Sequence, residues 1–219
     1  MKKIFIFLFS FLLISCGDNY RLPFNGEGFG GSQNADEDLK EKVISNTPVV
    51  FLHGNLSTAS YWRNARKYFL KNGYNPHELF AITLSRQGLA DLYPGAKELD
   101  IFIKNVLKYT QKEKVHLIAI SKGGPIARIY LKNFKGNKYV SKCVLLASPN
   151  HGATGASGIF SPAGDFVRNL NTPSETLPGV SYLCIASTID HFFGHGLLRS
   201  PFLKGAKNIM LKDIPHIEL

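Results

Sequence analysis

The chain has 219 residues, of which 44% are hydrophobic and 19% charged, and its 26 Lys and Arg against 16 Asp and Glu give a net charge of +10. This balance is typical of one globular domain with at most an appendage, and it excludes a disordered, collagen-like or multi-span membrane chain. Three cysteines are too few for a disulfide scaffold. The positive charge is compatible with anionic lipid, nucleic acid or acidic polymers and does not choose among them.

The first sixteen residues have the form of an export signal. Two lysines precede an apolar run over residues 4–14, which is shorter than a membrane-spanning helix needs. The run ends in LISC (13–16), which resembles the lipobox of bacterial lipoproteins, whose cysteine carries lipid after cleavage. We therefore expect residues 1–15 to be a lipoprotein signal peptide and Cys16 to be lipidated, which predicts an exported, membrane-anchored protein of the bacterial cell envelope. An ordinary secretory signal that happens to end in cysteine is the alternative.

Residues 16–46 are rich in Gly, Asn, Asp and Glu and show no sustained hydrophobic period. They predict a lipidated N-terminus and a tether, with at most a short helix near residues 36–43. No base-reading motif and no interleaving of aromatic and basic residues is present, so we do not expect nucleic acid as a partner. The sequence does not indicate an oligomeric state.

Residues 47–219 alternate between apolar runs and amphipathic segments. The predicted strands cover residues 48–52, 79–84, 115–120, 139–147, 181–187 and 208–211, and the predicted helices cover residues 58–71, 96–109 and about 124–135. This alternation predicts an α/β domain with a mostly parallel sheet of about six strands and helices on both faces. In such sheets the chemistry lies at the carboxyl ends of the strands.

The strand at residues 115–120 leads directly into SKGG (121–124), which opens a helix. This strand, turn and helix form the context that a G-x-S-x-G nucleophile elbow requires. So sharp a turn needs small residues two positions before and after the serine, and Ala119 and Gly123 meet that need. The pattern predicts an exposed Ser121 hydroxyl beside a helix N-terminus with positive partial charge. A generic helix start is the alternative.

A serine nucleophile needs a base, and the base needs an orienting carboxylate. With such an elbow the chain order is Ser, then Asp or Glu, then His. Asp190 follows the strand at residues 181–187, and His216 follows the last strand. We therefore expect Asp190 to orient the base and His216 to be the base.

Other acidic residues and histidines occupy weaker positions. They are Asp165, Glu175 and Asp213 for the acid, and His151, His191 and His195 for the base. His191 adjoins Asp190, so a local switch of base stays open. A metal site at His191 and His195 would need helical geometry and a third ligand. We expect neither a metal nor an organic cofactor.

Acyl transfer also needs two N–H donors that face the developing oxyanion. One is expected from the backbone of Lys122, the residue after the nucleophile. The other is expected from the loop HGN (53–55), and Asn55 is our choice. We expect His53 to brace this loop by hydrogen bonding and to transfer no proton.

Three segments together resemble the α/β-hydrolase superfamily: PVVFLHGN (48–55), AISKGG (119–124) and SPNHG (148–152). Within it they are most similar to small, nearly lidless bacterial triacylglycerol lipases and esterases, over about residues 48–216. The resemblance implies an α/β-hydrolase fold, a triad of Ser121, Asp190 and His216, and an oxyanion hole from the Asn55 and Lys122 amides. These roles agree with those derived from chain order.

Two features depart from the family pattern. Relatives usually carry a final helix after the histidine, whereas this chain stops at Leu219. Either the sequence is truncated or the His216 loop lacks its usual support. Lys122 stands where relatives often have a bulky apolar residue such as methionine. A charge at the mouth of the site would favour acidic or amphiphilic substrates. The alternative is a solvated lysine that acts through its backbone alone, as lysine side chains usually remain exposed.

Residues 148–180 form a long connection with several Gly and Pro residues. It predicts either a lid over part of an acyl pocket or an irregular crossover packed on the sheet. Cys143 and Cys184 lie in predicted strands, where we expect buried thiols, although export would permit a disulfide.

These observations predict a membrane-tethered serine hydrolase that cleaves carboxylic esters, with an ester or lipid-like small molecule as substrate. A thioesterase or acyltransferase with the same triad stays open, because the fold does not fix the acceptor. A catalytically inactive surface-binding lipoprotein is the alternative from another class.

Overall fold

The computed structural model of the chain describes residues 43–86, 88, 92–153, 158–193 and 197–219. The predicted signal peptide, Cys16 and the tether up to residue 42 lie outside the described residues. Within the described ranges, no helix combines the length and the apolar character that crossing a bilayer requires.

Among the described residues, six parallel strands form one sheet. They are β1 (Val49–Leu52), β2 (Leu79–Ile82), β3 (Val115–Ile120), β4 (Val140–Leu146), β5 (Ser181–Ser187) and β6 (Lys207–Leu211). Their order is β2-β1-β3-β4-β5-β6, and every neighbouring pair is parallel. All carboxyl ends therefore lie along one edge of the sheet, and the predicted parallel α/β sheet is confirmed.

In the part of the chain that the structure describes, four α-helices cover the two faces of this sheet. They are α1 (Arg63–Lys71), α2 (Leu92–Thr110), α3 (Gly123–Asn133) and α4 (Asp165–Asn171). Alternate residues of β1 face opposite sides: Val50 and Leu52 join a core with α2, α3 and α4, whereas Val49 and Phe51 join a core with α1. Helices on both faces were predicted and are found.

The structure corrects the predicted starts of two helices and adds one helix. The helix predicted over residues 58–71 begins as a 3₁₀-helix (Ala59–Trp62) and continues as α1. Helix α2 begins before the predicted residue 96 and includes Pro94 in its first turn. Proline is tolerated there because backbone N–H groups of the first turn have no acceptor within the helix. Helix α4 was not predicted; it is only seven residues long and lies among Gly and Pro residues, yet it buries Val167 and Leu170.

The start of α3 packs tightly against the end of β4, which makes Gly124 a sensitive position. A Cβ atom on Gly124 would lie 1.6 Å from Ser148 Oγ and 2.5 Å from Ser148 Cβ. We expect Gly124→Ala to lower the free energy of unfolding by about 1–3 kcal/mol because of this overpacking. Urea unfolding followed by circular dichroism measures the change.

Ser148→Gly provides the matched background, since it removes both clashing atoms. In that background Gly124→Ala should cost little, because alanine is the better helix former. An equal cost in both backgrounds would contradict the assigned contact.

Candidate active site

A sharp bend carries Ser121 between β3 and α3. Its φ is +52°, in the left-handed region that side chains rarely adopt. The Ser121 N–H donates to the Leu146 carbonyl at 2.8 Å, and the Gly124 N–H donates to the Ser121 carbonyl at 2.9 Å. The bend is therefore fastened both to β4 and to the first turn of α3.

Two glycines allow the end of β1 to approach this bend. A Cβ atom on Gly123 would lie 2.7 Å from the His53 carbonyl oxygen and 3.0 Å from that of Leu52. A Cβ atom on Gly54 would lie 3.2 Å from Ser121 Cβ. The loop after β1 thus rests directly against the bend, and the predicted need for a small residue at position 123 has its cause in the β1 backbone.

His53 holds that loop and is buried. Its Nε2 accepts a hydrogen bond from the Leu84 N–H at 3.0 Å, so the proton of the neutral ring lies on Nδ1, which donates to the Gly54 carbonyl at 2.7 Å. In a trans peptide the N–H points opposite to the carbonyl, so this bond turns the Asn55 N–H away from the His53 ring. The predicted bracing role of His53 is confirmed.

Asp190 and His216 form a buried hydrogen-bonded pair. His216 Nδ1 lies 2.6 Å from Asp190 Oδ2, and the two residues are 8% and 1% exposed. Asp190 Oδ1 accepts from the Phe192 N–H at 3.0 Å, at the start of a 3₁₀-helix (His191–Phe193). Because a carboxylate only accepts, the His216 proton lies on Nδ1, and Nε2 is left as an acceptor. The Phe192 ring packs edge-on against His216 with centroids 4.6 Å apart.

A cavity of about 270 Å³ joins these elements at the carboxyl edge of the sheet. Its lining residues are Gly54, Asn55, Ser57, Tyr61, Ile120, Ser121, Phe192 and His216. Three of the residues predicted for the site, Asn55, Ser121 and His216, therefore share one cavity, and Asp190 contacts it through His216. This arrangement suits acyl transfer to a serine.

Comparison with known proteins places the chain in a family. A family model described as Lipase (class 2) matches residues 46–200. The chain belongs to the class 2 lipase family. It is accordingly a lipase-like carboxylic ester hydrolase.

Solved structures share its α/β-hydrolase fold. Bacillus licheniformis lipase BlEst2 in its mature form is similar with a TM-score of 0.66 and 19% identity, over 82% of this chain and 88% of that one. Aspergillus fumigatus lipase B gives 0.65 and 17%, over 76% of this chain and 44% of that one. The product of gene lin2722 from Listeria innocua gives 0.60 and 15%, over 79% and 88%.

Two competing acids and one competing base of this class 2 lipase have other partners. Asp165 pairs with Arg168 in α4, whereas Glu175 contacts His151 Nε2 at 3.2 Å. His191 is exposed, and its ring centroid lies 6.2 Å from that of His216. His195 lies outside the described residues. In the described part of the chain, no group of three or more His, Cys, Asp or Glu side chains could hold a metal ion.

The Lys122 side chain is buried, so the expectation that it stays in solvent is wrong. Only 3% of the residue is exposed, and its ammonium donates to the Gly88 carbonyl at 2.6 Å. This hydrogen bond connects the residue after Ser121 to the loop that follows β2. Lys122 does not line the cavity in the described part of the chain, so a preference for acidic substrates is not supported.

The connection over residues 148–180 is fastened to α3 rather than to the cavity. Buried Arg128 donates to the Leu170 and Glu175 carbonyls at 3.0 and 3.1 Å and to Asn171 Oδ1 at 2.8 Å. Burial lowers the pKa of Arg128 to about 10, which leaves it charged at neutral pH. None of the connection's described residues lines the cavity, so of the two expectations the packed crossover is the one they fit.

The three apolar wall residues of the cavity were not predicted. Tyr61 lies in the 3₁₀-helix before α1, Ile120 ends β3, and Phe192 follows Asp190 by two positions. Only Phe192 carried a signal, since it lies close to the proposed acid in sequence. The two strand cysteines, Cys143 and Cys184, are free, buried thiols, and burial raises the pKa of both.

Burial of His53 predicts a pH effect on stability. Its pKa lies below the ordinary 6.5, mainly because burial disfavours the charged ring; the Gly54 hydrogen bond partly opposes this, and Lys122 lowers the pKa further. Below pH 6.5 the unfolded chain binds a proton at His53 that the folded chain does not. The contribution of His53 to the free energy of unfolding is therefore complete above pH 6.5 and declines as the pH falls toward the folded pKa, by up to about 1.4 kcal/mol per pH unit.

His53→Asn isolates this contribution, because the amide keeps a donor for the Gly54 carbonyl but does not titrate. Urea unfolding at a series of pH values should show a shallower loss of stability for the variant than for the wild type. Parallel profiles would contradict a neutral, buried His53.

Proposed function

We propose that this class 2 lipase cleaves carboxylic esters through an acyl-Ser121 intermediate, with His216 as the base and Asp190 as its orienting acid. The observation that carries the proposal is the Asp190–His216 hydrogen bond of 2.6 Å behind a cavity that His216 and Ser121 both line. The bent backbone at Ser121 supports it, because strain of this kind concentrates at functional sites.

In the first half of the reaction, His216 Nε2 takes the proton of the Ser121 hydroxyl while Oγ attacks the ester carbonyl carbon. The ring then carries protons on both nitrogens, and the Asp190 carboxylate stabilises this charge. Collapse of the tetrahedral intermediate breaks the bond to the alcohol oxygen, which receives the proton from His216. Water attacks the acyl-serine by the same route, and the acid leaves.

Two backbone N–H groups are proposed to bind the oxyanion, those of Asn55 and Lys122. Asn55 lines the cavity, and the His53 bond to the Gly54 carbonyl fixes the peptide to which its N–H belongs. Lys122 directly precedes α3, whose N-terminus contributes positive partial charge. Such donors lower the barrier because they are already in place when charge develops, and each is worth about 3–4 kcal/mol.

The triad roles are tested with p-nitrophenyl acetate and a fluorophosphonate probe. Ser121→Ala should abolish probe labelling, and Ser121→Ala and His216→Ala should each lower kcat by at least about 10⁴-fold, with a loss on the order of 10⁴-fold for Asp190→Asn. The asparagine amide would donate to His216 Nδ1 and so favour the wrong tautomer.

Two variants serve as matched controls. Ser174→Ala changes an exposed serine of the long connection, and His191→Ala changes the neighbouring histidine. Both should keep the wild-type rate. A loss for His191→Ala as large as that for His216→Ala would assign the base to His191, and a folded wild-type protein without adduct would favour the binding lipoprotein.

We further propose that Cys16 carries lipid and anchors the lipase to a membrane of the cell envelope. The support is the sequence LISC at the end of the apolar run. Acyl chains contribute about 0.8 kcal/mol per buried CH₂, so such an anchor would outweigh the attraction between the basic chain and anionic lipid.

Expression of the full chain in a bacterium tests the anchor. The wild type should be found in the membrane fraction, and its mature N-terminal peptide should begin at Cys16 and carry acyl mass. Cys16→Ser should lose the acyl mass and leave the membrane fraction. Cleavage at another residue, without acylation, would identify an ordinary secretory signal.

A further inference from the structure

The cavity beside Ser121 has an apolar wall made by three side chains. Ile120 is buried, Tyr61 is half-buried, and burial raises the pKa of the Tyr61 hydroxyl. Phe192, in the 3₁₀-helix after β5, is the third apolar lining residue, and 46% of it is exposed. A substrate group that enters this cavity leaves water and contacts these apolar side chains, which favours a hydrocarbon chain.

The lining also limits the charge of the substrate. Among its described residues, the cavity wall includes no Lys, Arg, Asp or Glu, and the titratable groups are His216 and Tyr61. A carboxylate or ammonium inside would lose its hydration and meet no opposite charge. The part of the substrate that fills the cavity is therefore uncharged.

The volume of the cavity limits the length of the substrate chain that it can hold. The cavity of about 270 Å³ compares with about 30 Å³ for one water molecule in the liquid, so it holds about nine groups of that size. A methylene group is close to water in size. An ester group with a chain of about six carbons fills this space, and further carbons of a longer chain remain in water.

We propose that the substrates of this lipase are esters of short, uncharged acyl chains, with Tyr61, Ile120 and Phe192 as the acyl site. The inference rests on the proposed acyl-Ser121 mechanism and adds the substrate class and the residues that select it. Tyr61 sets the length, because its ring takes up space that a longer chain would need, whereas Phe192 also packs on His216 and affects the rate for every ester.

The test uses the full-length protein and p-nitrophenyl esters from acetate to palmitate, each below the concentration at which it aggregates. We expect kcat/KM to rise about fourfold per added methylene up to about hexanoate, because each methylene is buried, and then to stay level or decline. A continued rise to laurate would overturn the proposal.

Variants of Tyr61 make the test directional. Tyr61→Ala should move the preferred chain toward octanoate and decanoate, and Tyr61→Trp should move it toward butyrate. Opposite shifts do not arise from partial unfolding. Tyr68→Ala is the matched control, because Tyr68 is an exposed tyrosine of α1, and its profile should equal that of the wild type. An unchanged preference in both Tyr61 variants would overturn the role of this residue.

Labelling of Ser121 by the fluorophosphonate separates this inference from the mechanism on which it rests. A labelled enzyme that hydrolyses long esters best overturns the short-chain inference alone. A folded protein that is not labelled and hydrolyses no ester overturns the mechanism and the inference together.

Discussion

The close approach of three strand ends at the start of α3 is the constraint on which the site depends. Gly123 meets the carbonyls at the end of β1, and Gly124 meets Ser148 just after β4. Any side chain at these two positions would push β1 or β4 away from the helix. Because hydrogen fits where carbon does not, the loop that carries Asn55 and the bend that carries Ser121 can line one cavity.

Two buried histidines near this point, His53 and His216, differ in the hydrogen-bond partners of their ring nitrogens. His53 uses both ring nitrogens on backbone groups, Leu84 N–H and the Gly54 carbonyl, so its ring is committed to holding the loop. His216 uses Nδ1 on Asp190 and lines the cavity, so its Nε2 is the acceptor left for chemistry. The same side chain type therefore serves as a brace in one position and is proposed as a base in the other, and burial determines neither role by itself.

Much of the fold follows from local sequence patterns. The predominantly apolar segments at residues 115–120 and 181–187 predicted β3 and β5 with the bounds that the structure has. The site candidates followed from the rule that parallel sheets carry chemistry at strand ends. Helix α4 was missed because its two buried residues are too few to show a period.

The cavity walls could not be predicted for a different reason. Tyr61 and Phe192 lie far apart in sequence, and each belongs to a short 3₁₀-helix without periodicity. Their meeting depends on the strand order, which brings β1 beside β3 and leaves β5 on the far side of β4. The burial of Lys122 is equally non-local, since its partner is the Gly88 carbonyl in a loop 34 residues earlier.

Backbone strain marks the same edge of the sheet independently of any side-chain argument. Six described residues other than glycine have a left-handed backbone: Leu56, Gln111, Ser121, Lys135, Ala147 and Asp213. Gln111 and Lys135 follow α2 and α3, where this conformation commonly ends a helix. The other four follow β1, β3, β4 and β6 on the carboxyl side, where each costs about 1–2 kcal/mol. Burial offsets little of this cost at Leu56, because 77% of the residue is exposed. The rest of the fold must offset this strain, and the packing of α3 against β1 and β4 is the part of it that holds Ser121 in place.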